Sequence, residues 1–302
     1  LTKAKAWFSA ARLRTLPLSV SGIIVGAAIA NKYGYTDWLL FWLAIFTTIG
    51  FQITSNFAND YGDGIKGTDN EDRIGPKRAL QSGLLTRKEL KSGIRFSVLL
   101  CLLLVVLVVY RAFGTENIVY PLVFIFLGIA SIWAAIKYTV GKSAYGYRGF
   151  GDVFVFIFFG LLSVLGSMFI FTKFLTVYAV LPAISIGLLS TGVLNLNNLR
   201  DYESDKKSKK NTLVVILGYT RGKKYHYLLL SISFICMLLY TIFNYLHLKN
   251  MLVLLGFIPI FLHLIKVRNI KKPILLDPEL KKIALSTFLV AILFYIAFNK
   301  FL

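Results

Sequence analysis

Acidic residues are scarce in this chain: 14 Asp and Glu stand against 34 Lys and Arg, and charged residues of both signs make up only 16% of its 302 positions. Soluble globular domains carry roughly 25% charged residues. So little charge cannot solvate an apolar content of 57% around one aqueous core, and the mean hydropathy of +0.69 points to lipid as the main solvent. Cysteine is nearly absent. Cys101 and Cys236 both lie inside apolar blocks without any framework spacing, which argues against a disulfide scaffold or a thiolate metal site. The three histidines, His226, His247 and His263, lack ligand spacing, which argues against zinc. In a soluble protein a net charge of +20 would suggest nucleic acid. Here the bases sit in short segments between apolar blocks, so the expected partners are an anionic membrane face and anionic substrates, not nucleic acid. No small-residue cleavage site follows the first apolar block, and no removed leader is expected.

Long hydrophobic runs are what the sequence has in abundance. A spanning helix needs about 20 mostly apolar residues. Nine blocks qualify, near 16–32, 37–59, 93–113, 118–140, 149–171, 176–199, 225–246, 250–266 and 281–300, the eighth being the shortest. Charge tests the count, because loops on the cytoplasmic side collect Lys and Arg. With the N-terminus inside, 29 of the 34 Lys and Arg fall on inner segments. The expectation is an all-α membrane bundle of nine helices in a single domain spanning 1–302, with the C-terminus outside. Two long hydrophilic loops, about 60–92 and 200–224, follow helices that descend in the same sense. The runs Asn56-Phe-Ala-Asn-Asp60 and Asn197-Asn-Leu-Arg-Asp201 echo each other. This suggests two related four-helix halves plus a ninth helix, with a central cavity between the halves.

Each echo carries a cluster of hard oxygen ligands. Asn56, Asp60 and Asp63 are spaced four and three apart, so they share one helix face, with Asp69 farther on. Acids at a helix C-terminus oppose the helix dipole and repel one another; a divalent cation offsets both. Gly62, Gly64 and Gly67 are placed to let the backbone turn as the helix ends. In the second cluster Asn197, Asp201 and Asp205 share a face, Asn198 lies beside them, and Glu203 points off it into solvent. Mg²⁺ binds through one or two carboxylates plus phosphate oxygens and waters, so the two faces are suited to clamping a diphosphate. Intramembrane amides such as Gln52, Asn56, Asn195 and Asn197 are functional candidates by default, because they are expensive in lipid. A single Asp pair would be read as a solvated helix end. The argument lies in the pairing, since nearly half of the acids fall in these two stretches.

Basic residues stand near both clusters: Arg12 and Arg14 before the first helix, Arg73, Lys77 and Arg78, then Lys142, Arg148, Lys209 and Lys210. A departing diphosphate gathers negative charge that such groups stabilise. For any one of them positive-inside topology is a sufficient explanation.

The stretches Asn59-Asp-Tyr-Gly-Asp-Gly-Ile-Lys-Gly-Thr-Asp69 and Asp72-Arg-Ile-Gly-Pro-Lys-Arg78 resemble the UbiA superfamily of intramembrane aromatic prenyltransferases. Within it they are most similar to the branch acting on 1,4-dihydroxy-2-naphthoate in menaquinone biosynthesis. Supporting stretches are Arg12-Leu-Arg-Thr-Leu-Pro17, Tyr138-Thr-Val-Gly-Lys142, Tyr145-Gly-Tyr147 with Gly151-Asp152, and Leu196-Asn-Asn-Leu-Arg-Asp201 through Lys210-Asn-Thr-Leu213. The resemblance implies two Mg²⁺ held by Asp60, Asp63, Asp69, Asp201 and Asp205, with Asp63 and Asp69 in alternative roles. It implies a polyprenyl diphosphate donor bound with help from Asn56, Asn197, Asn198, Arg14, Arg73, Lys77, Arg78 and Lys210. Lys142 would be a catalytic cation, and Tyr138, Tyr145, Tyr147 and Asp152 would sit by the naphthoate. The reaction implied is prenyl transfer coupled to decarboxylation, giving demethylmenaquinone, on the inner face of a bacterial cytoplasmic membrane. Membrane lipid would house the isoprenoid tail.

Other readings are 4-hydroxybenzoate as acceptor, with homogentisate or haem behind it, or a secondary transporter. A transporter places its polar breaks near the bilayer midplane, whereas here they gather at the inner edge. A phosphotransferase acting on a nucleotide-linked alcohol would keep its acids in one contiguous run.

Overall fold

A computed structural model describes residues 2–68, 78–115, 117–244 and 247–299. The expected site residues Asp69, Arg73 and Lys77 lie outside them. Lipid offers no partner to a bare N–H or C=O, so each apolar block bonds its backbone within itself. Among the described residues all regular structure is helical, and nine helices are long and apolar enough to cross a membrane. They are α1 Lys3–Lys32, α2 Trp38–Lys66, α3 Arg87–Phe113, α4 Val119–Lys137, α5 Gly151–Thr172, α6 Val177–Arg200, α7 Tyr219–Phe243, α8 Leu252–Asn269 and α9 Pro273–Phe298. Their apolar parts coincide with the nine expected blocks.

The differences lie at the polar ends. Helix α2 runs past residue 59 to Lys66 and stops at Gly67, whose φ of 71° and N–H bonded to the Asp63 carbonyl close it. Gly62 and Gly64 therefore stay helical, contrary to the expected turn. Gly62 serves a close approach instead: a Cβ there would lie 2.6 Å from Thr139 Oγ1. Helix α3 starts at Arg87 because Thr86 and Glu89 form a reciprocal cap. Helix α8 is interrupted between Leu255 and Ile258, which fits its weak signal in the sequence.

Helix α1 is the hub. A short helix, Lys3–Ala11, leads through the 3₁₀ turn Leu13–Thr15 into Leu16–Lys32, where every residue from Leu18 to Asn31 is buried. It packs on α2, α5 and α9. Lipid supplies no hydrophobic drive between helices, so close contact of small residues does the joining. Gly22 and Gly26 present that surface to α5; a Cβ on Gly22 would meet the Ser163 side chain and the Phe159 carbonyl. Helices α3 and α4 are the opposite case. Phe96, Leu99 and Leu103 on α3, and Phe126, Ile129 and Trp133 on α4, stand exposed as a lipid-facing belt.

The ends of α7, α8 and α9 are joined by a network that the sequence reading did not connect. His226 and His263 touch through their Nε2 atoms at 3.0 Å, and His263 Nδ1 meets Glu279 Oε2 at 2.9 Å. Glu279 also takes Lys266 and Lys282. The ring contact is hydrogen-bond length and leaves no room for an ion between the nitrogens.

Candidate active site

The basic ends of α2 and α6 deliver the two acidic clusters to one place. Because α2 stays helical to Lys66, Asp60 and Asp63 project on the face that Asn56 begins, and both are buried. Asp60 accepts from Arg12 Nη2 at 2.9 Å and lies 3.1 Å from Arg78 Nη1. Asn56 ties this end to the N-terminal segment: its Nδ2 donates to the Ala11 carbonyl at 2.8 Å. Asp63 accepts from the Tyr147 hydroxyl at 2.7 Å, and that hydroxyl also touches Thr68 Oγ1 at 2.6 Å.

After α6 the chain turns into the short helix Tyr202–Lys207, which buries Asp201 and Asp205 and exposes Glu203, as expected. Arg200 grips Asp201 with one edge of its fork, Nε at 2.8 Å and Nη2 at 2.6 Å, and Nη2 also donates to Asn197 Oδ1 at 3.0 Å. Its remaining nitrogen reaches Asp277 on α9 at 2.6 Å.

Lys210 joins the clusters. Its Nζ lies 3.8 Å from Asp63 Oδ2 and 4.0 Å from Asp205 Oδ1, above the Tyr147 ring at 5.3 Å. Burial alone would lower the Lys210 pKa, but Asp63 and Asp205, with Tyr147 and Asp201 behind them, outweigh it and raise it. Burial pushes the Asp205 carboxyl up to about 7, with Asp201 and Asp63 adding to the shift and Lys210 opposing it. Burial followed by the charge of Asp63 raises the Tyr147 phenol. Burial followed by Asp152, Asp63 and Asp205 raises that of Tyr138.

A cavity of about 440 Å³ opens against this end. Arg12, Arg78, Arg200 and Lys210 line it together with Asp63, Asn56 and Asn197, whereas Asp60, Asp201 and Asp205 sit behind the cations that hold them. Its deeper wall is apolar and aromatic, with Phe51, Phe124, Phe154, Phe158 and Phe159. Tyr138 and Tyr145 also line it, and Tyr145 stacks on Phe154 at 3.8 Å between centroids.

Other expected residues fall outside the cavity. Asp152 is buried without lining it. Asn198 is buried away from it, and Lys142 is exposed and does not line it. Arg14 reaches the cavity from an exposed position, while Arg12, two residues earlier, is the one that holds Asp60. The sequence reading missed Arg200, Asp277 and Lys281. An Arg directly before Asp201, three residues after Asn197 and so within reach of both, was the available signal for the first. Asp277 and Lys281 gave none beyond their place before the last helix.

The model of the UbiA prenyltransferase family matches residues 19–274. The chain belongs to the UbiA prenyltransferase family. As such it is an integral membrane prenyltransferase. A 1,4-dihydroxy-2-naphthoate octaprenyltransferase of Haemophilus influenzae is 42% identical over 97% of this chain and 95% of its own length. The protein of that name from Escherichia coli is 45% identical over 81% and 79%. In three dimensions the chain is similar to a UbiA homolog from Archaeoglobus fulgidus bound to GPP and Mg²⁺. The TM-score is 0.66 at 15% identity, covering 95% of this chain and 97% of that one. At that identity the likeness speaks to the fold alone.

Proposed function

We infer that this UbiA-family enzyme transfers a polyprenyl group from an allylic diphosphate to 1,4-dihydroxy-2-naphthoate, with Mg²⁺ and with loss of the acceptor carboxylate as CO₂. One observation carries the reading: Lys210 bridges Asp63 of the first cluster and Asp205 of the second, so two acidic faces and their bases converge on one cavity. The names of the relatives support the acceptor, and a solved homolog that holds a prenyl diphosphate with Mg²⁺ supports the donor and ion.

The residues present fit the ion. Among the described residues no three His, Cys, Asp or Glu form a ready-made cage, but Mg²⁺ in phosphate sites needs only one or two carboxylates with phosphate oxygens and waters. Asp60 and Asp63 would hold one ion and Asp201 and Asp205 a second. When bound, Mg²⁺ neutralises diphosphate charge and so eases departure of the leaving group.

The chain's own groups do the rest. As the allylic C–O bond breaks, its electron pair goes to the diphosphate, and Arg12, Arg78, Arg200 and Lys210 stabilise that charge in place. The rings of Tyr138, Tyr145 and Phe154 present their faces to the allylic cation, and the apolar wall keeps water from it. The ring carbon bearing the acceptor carboxylate supplies the pair for the new C–C bond. The pair of the C–CO₂ bond then returns to the ring as CO₂ departs. Tyr147 holds Asp63, Asp152 acts on Tyr138 from behind, and exposed Lys142 attracts the anionic donor at the rim. The basic end faces the cytoplasm of a bacterium by the charge count, and the isoprenoid tail lies in lipid.

The test uses purified protein with Mg²⁺, an allylic polyprenyl diphosphate and carboxyl-labelled 1,4-dihydroxy-2-naphthoate. Labelled CO₂ and diphosphate are expected in equal amounts. Turnover of 4-hydroxybenzoate with no CO₂ from the naphthoate would overturn the acceptor assignment.

A further inference from the structure

Arg200 is 2% exposed, ends α6, and makes four hydrogen bonds to three side chains. Two of them occupy both oxygens of Asp201, a carboxylate that the second cluster offers to a cation. A guanidinium fork matches a carboxylate edge in shape and charge, so this pairing takes up the edge of Asp201 that would chelate an ion, and Asn197 Nδ2 also reaches its Oδ2 at 3.4 Å. An ion chelated by both oxygens of Asp201 needs the fork to let go. A buried guanidinium released without a partner would carry a large desolvation cost. Asp277 removes that obstacle. It comes from a different helix, α9, already holds Nη1 at 2.6 Å, and lines the same cavity.

We propose that Arg200 is a displaceable stand-in for the metal ion and that Asp277 is the positioning residue that receives it. On loading, Asp201 turns to the ion while Arg200 stays on Asp277 at the cavity wall, where it faces the diphosphate. The charges are consistent with this. Asp201, Asp277 and Arg200 together carry one net negative charge, which attracts a divalent cation; once the ion is bound the group is net positive and attracts the diphosphate. The inference rests on the metal–diphosphate reading of the site.

A brace that merely ties α6 to α9 makes a different forecast, and the sign of the effect separates the two. The readout is Mn²⁺ bound by the full-length protein in detergent without prenyl donor, measured by the electron paramagnetic signal of free Mn²⁺. A charge-assisted hydrogen bond is worth about 1.5–3 kcal/mol, so shifts of about tenfold or more are expected. Arg200→Gln should bind Mn²⁺ more tightly than the wild type, and Asp277→Asn more weakly. Arg200→Lys, which keeps the charge but loses the fork, should also bind more tightly. Since Asp277 is to act through Arg200, adding Asp277→Asn to Arg200→Gln should cost much less than it does alone.

Weaker binding in both Arg200 variants would overturn the proposal, as would an undiminished Asp277→Asn effect in the double variant. Wild-type protein that takes up no Mn²⁺, with or without inorganic diphosphate, would overturn the metal reading itself.

Discussion

Lys210 Nζ stands 3.8 Å from Asp63 Oδ2 and 4.0 Å from Asp205 Oδ1, so one ammonium holds together carboxylates from opposite halves of the chain. Lys210→Met keeps the length of the side chain and removes the charge. Removing one preorganised donor from such a site costs roughly 10²–10³ in rate, and a loss of that order is expected in prenyl transfer measured with a labelled donor. A variant within a few-fold of wild type would detach Lys210 from the chemistry.

Asp60 is held by Arg12, Arg78 and, at 3.4 Å, the Ala79 N–H. Asp60→Asn should therefore fail twice. Turnover should drop by about 10² or more, and the thermal midpoint in detergent should fall, because two guanidinium groups lose a buried counter-charge. Asp201→Asn should match it in activity. Unchanged melting of Asp60→Asn would show that the pairing contributes little to the fold.

Asp205 supplies a pH dependence. Its carboxyl is raised by burial to about 7 from an unfolded value near 3.9, so the metal-free folded state holds a proton there that the unfolded chain has released. The associated stability is present in acid and lost as pH rises through about 7. Metal-free wild type should thus lose stability relative to Asp205→Asn between about pH 5 and pH 8. Because the ion needs the carboxylate, Mg²⁺ affinity should weaken as pH falls below about 7. A thermal-shift series in both proteins with EDTA checks the first expectation, and a Mg²⁺ titration of the wild type checks the second. Parallel stability curves would refute the assignment.

Arg14 and Lys281 are exposed cations on the cavity lining, suited to the acceptor's carboxylate as it enters. Arg14→Gln and Lys281→Gln should each raise KM for the naphthoate about tenfold, the scale of one charge-assisted hydrogen bond, with kcat nearly unchanged. Steady-state kinetics at saturating donor decide it. A fall in kcat alone would place these residues elsewhere in the cycle.

Much of the bundle was legible in the sequence because lipid enforces a simple rule: one apolar run, one internally bonded helix. The nine blocks and the pairing of Asp60 with Asp201 followed from that and from Asn–Asp spacing. Asn56, Asp60 and Asp63 share a helix face as expected, but Gly62 and Gly64 do not turn the chain: the acids are neutralised by Arg12, Arg78 and Lys210, and the helix continues to Gly67. The sequence also could not show that Arg12 and not Arg14 meets Asp60, since that depends on the 3₁₀ turn Leu13–Thr15. His226 and His263 looked unrelated because only the crossing of α7 and α8 brings them to 3.0 Å. Asp277 lacked any motif; it meets Arg200 only because α9 starts beside the end of α6.

Helix α1 has one further consequence. Its buried face is completed by α5 and by α9, where Asn31 Nδ2 meets the Tyr295 hydroxyl at 3.1 Å. A ribosome delivers α1 long before α9, so the hub must wait in the bilayer with its glycine, serine and asparagine side chains uncovered. Contacts of such long sequence separation form slowly. Biogenesis of this enzyme should therefore be limited by docking of the last helix, and truncation before Pro273 should send the chain to proteolysis even though every active-site carboxylate ahead of that point has been made.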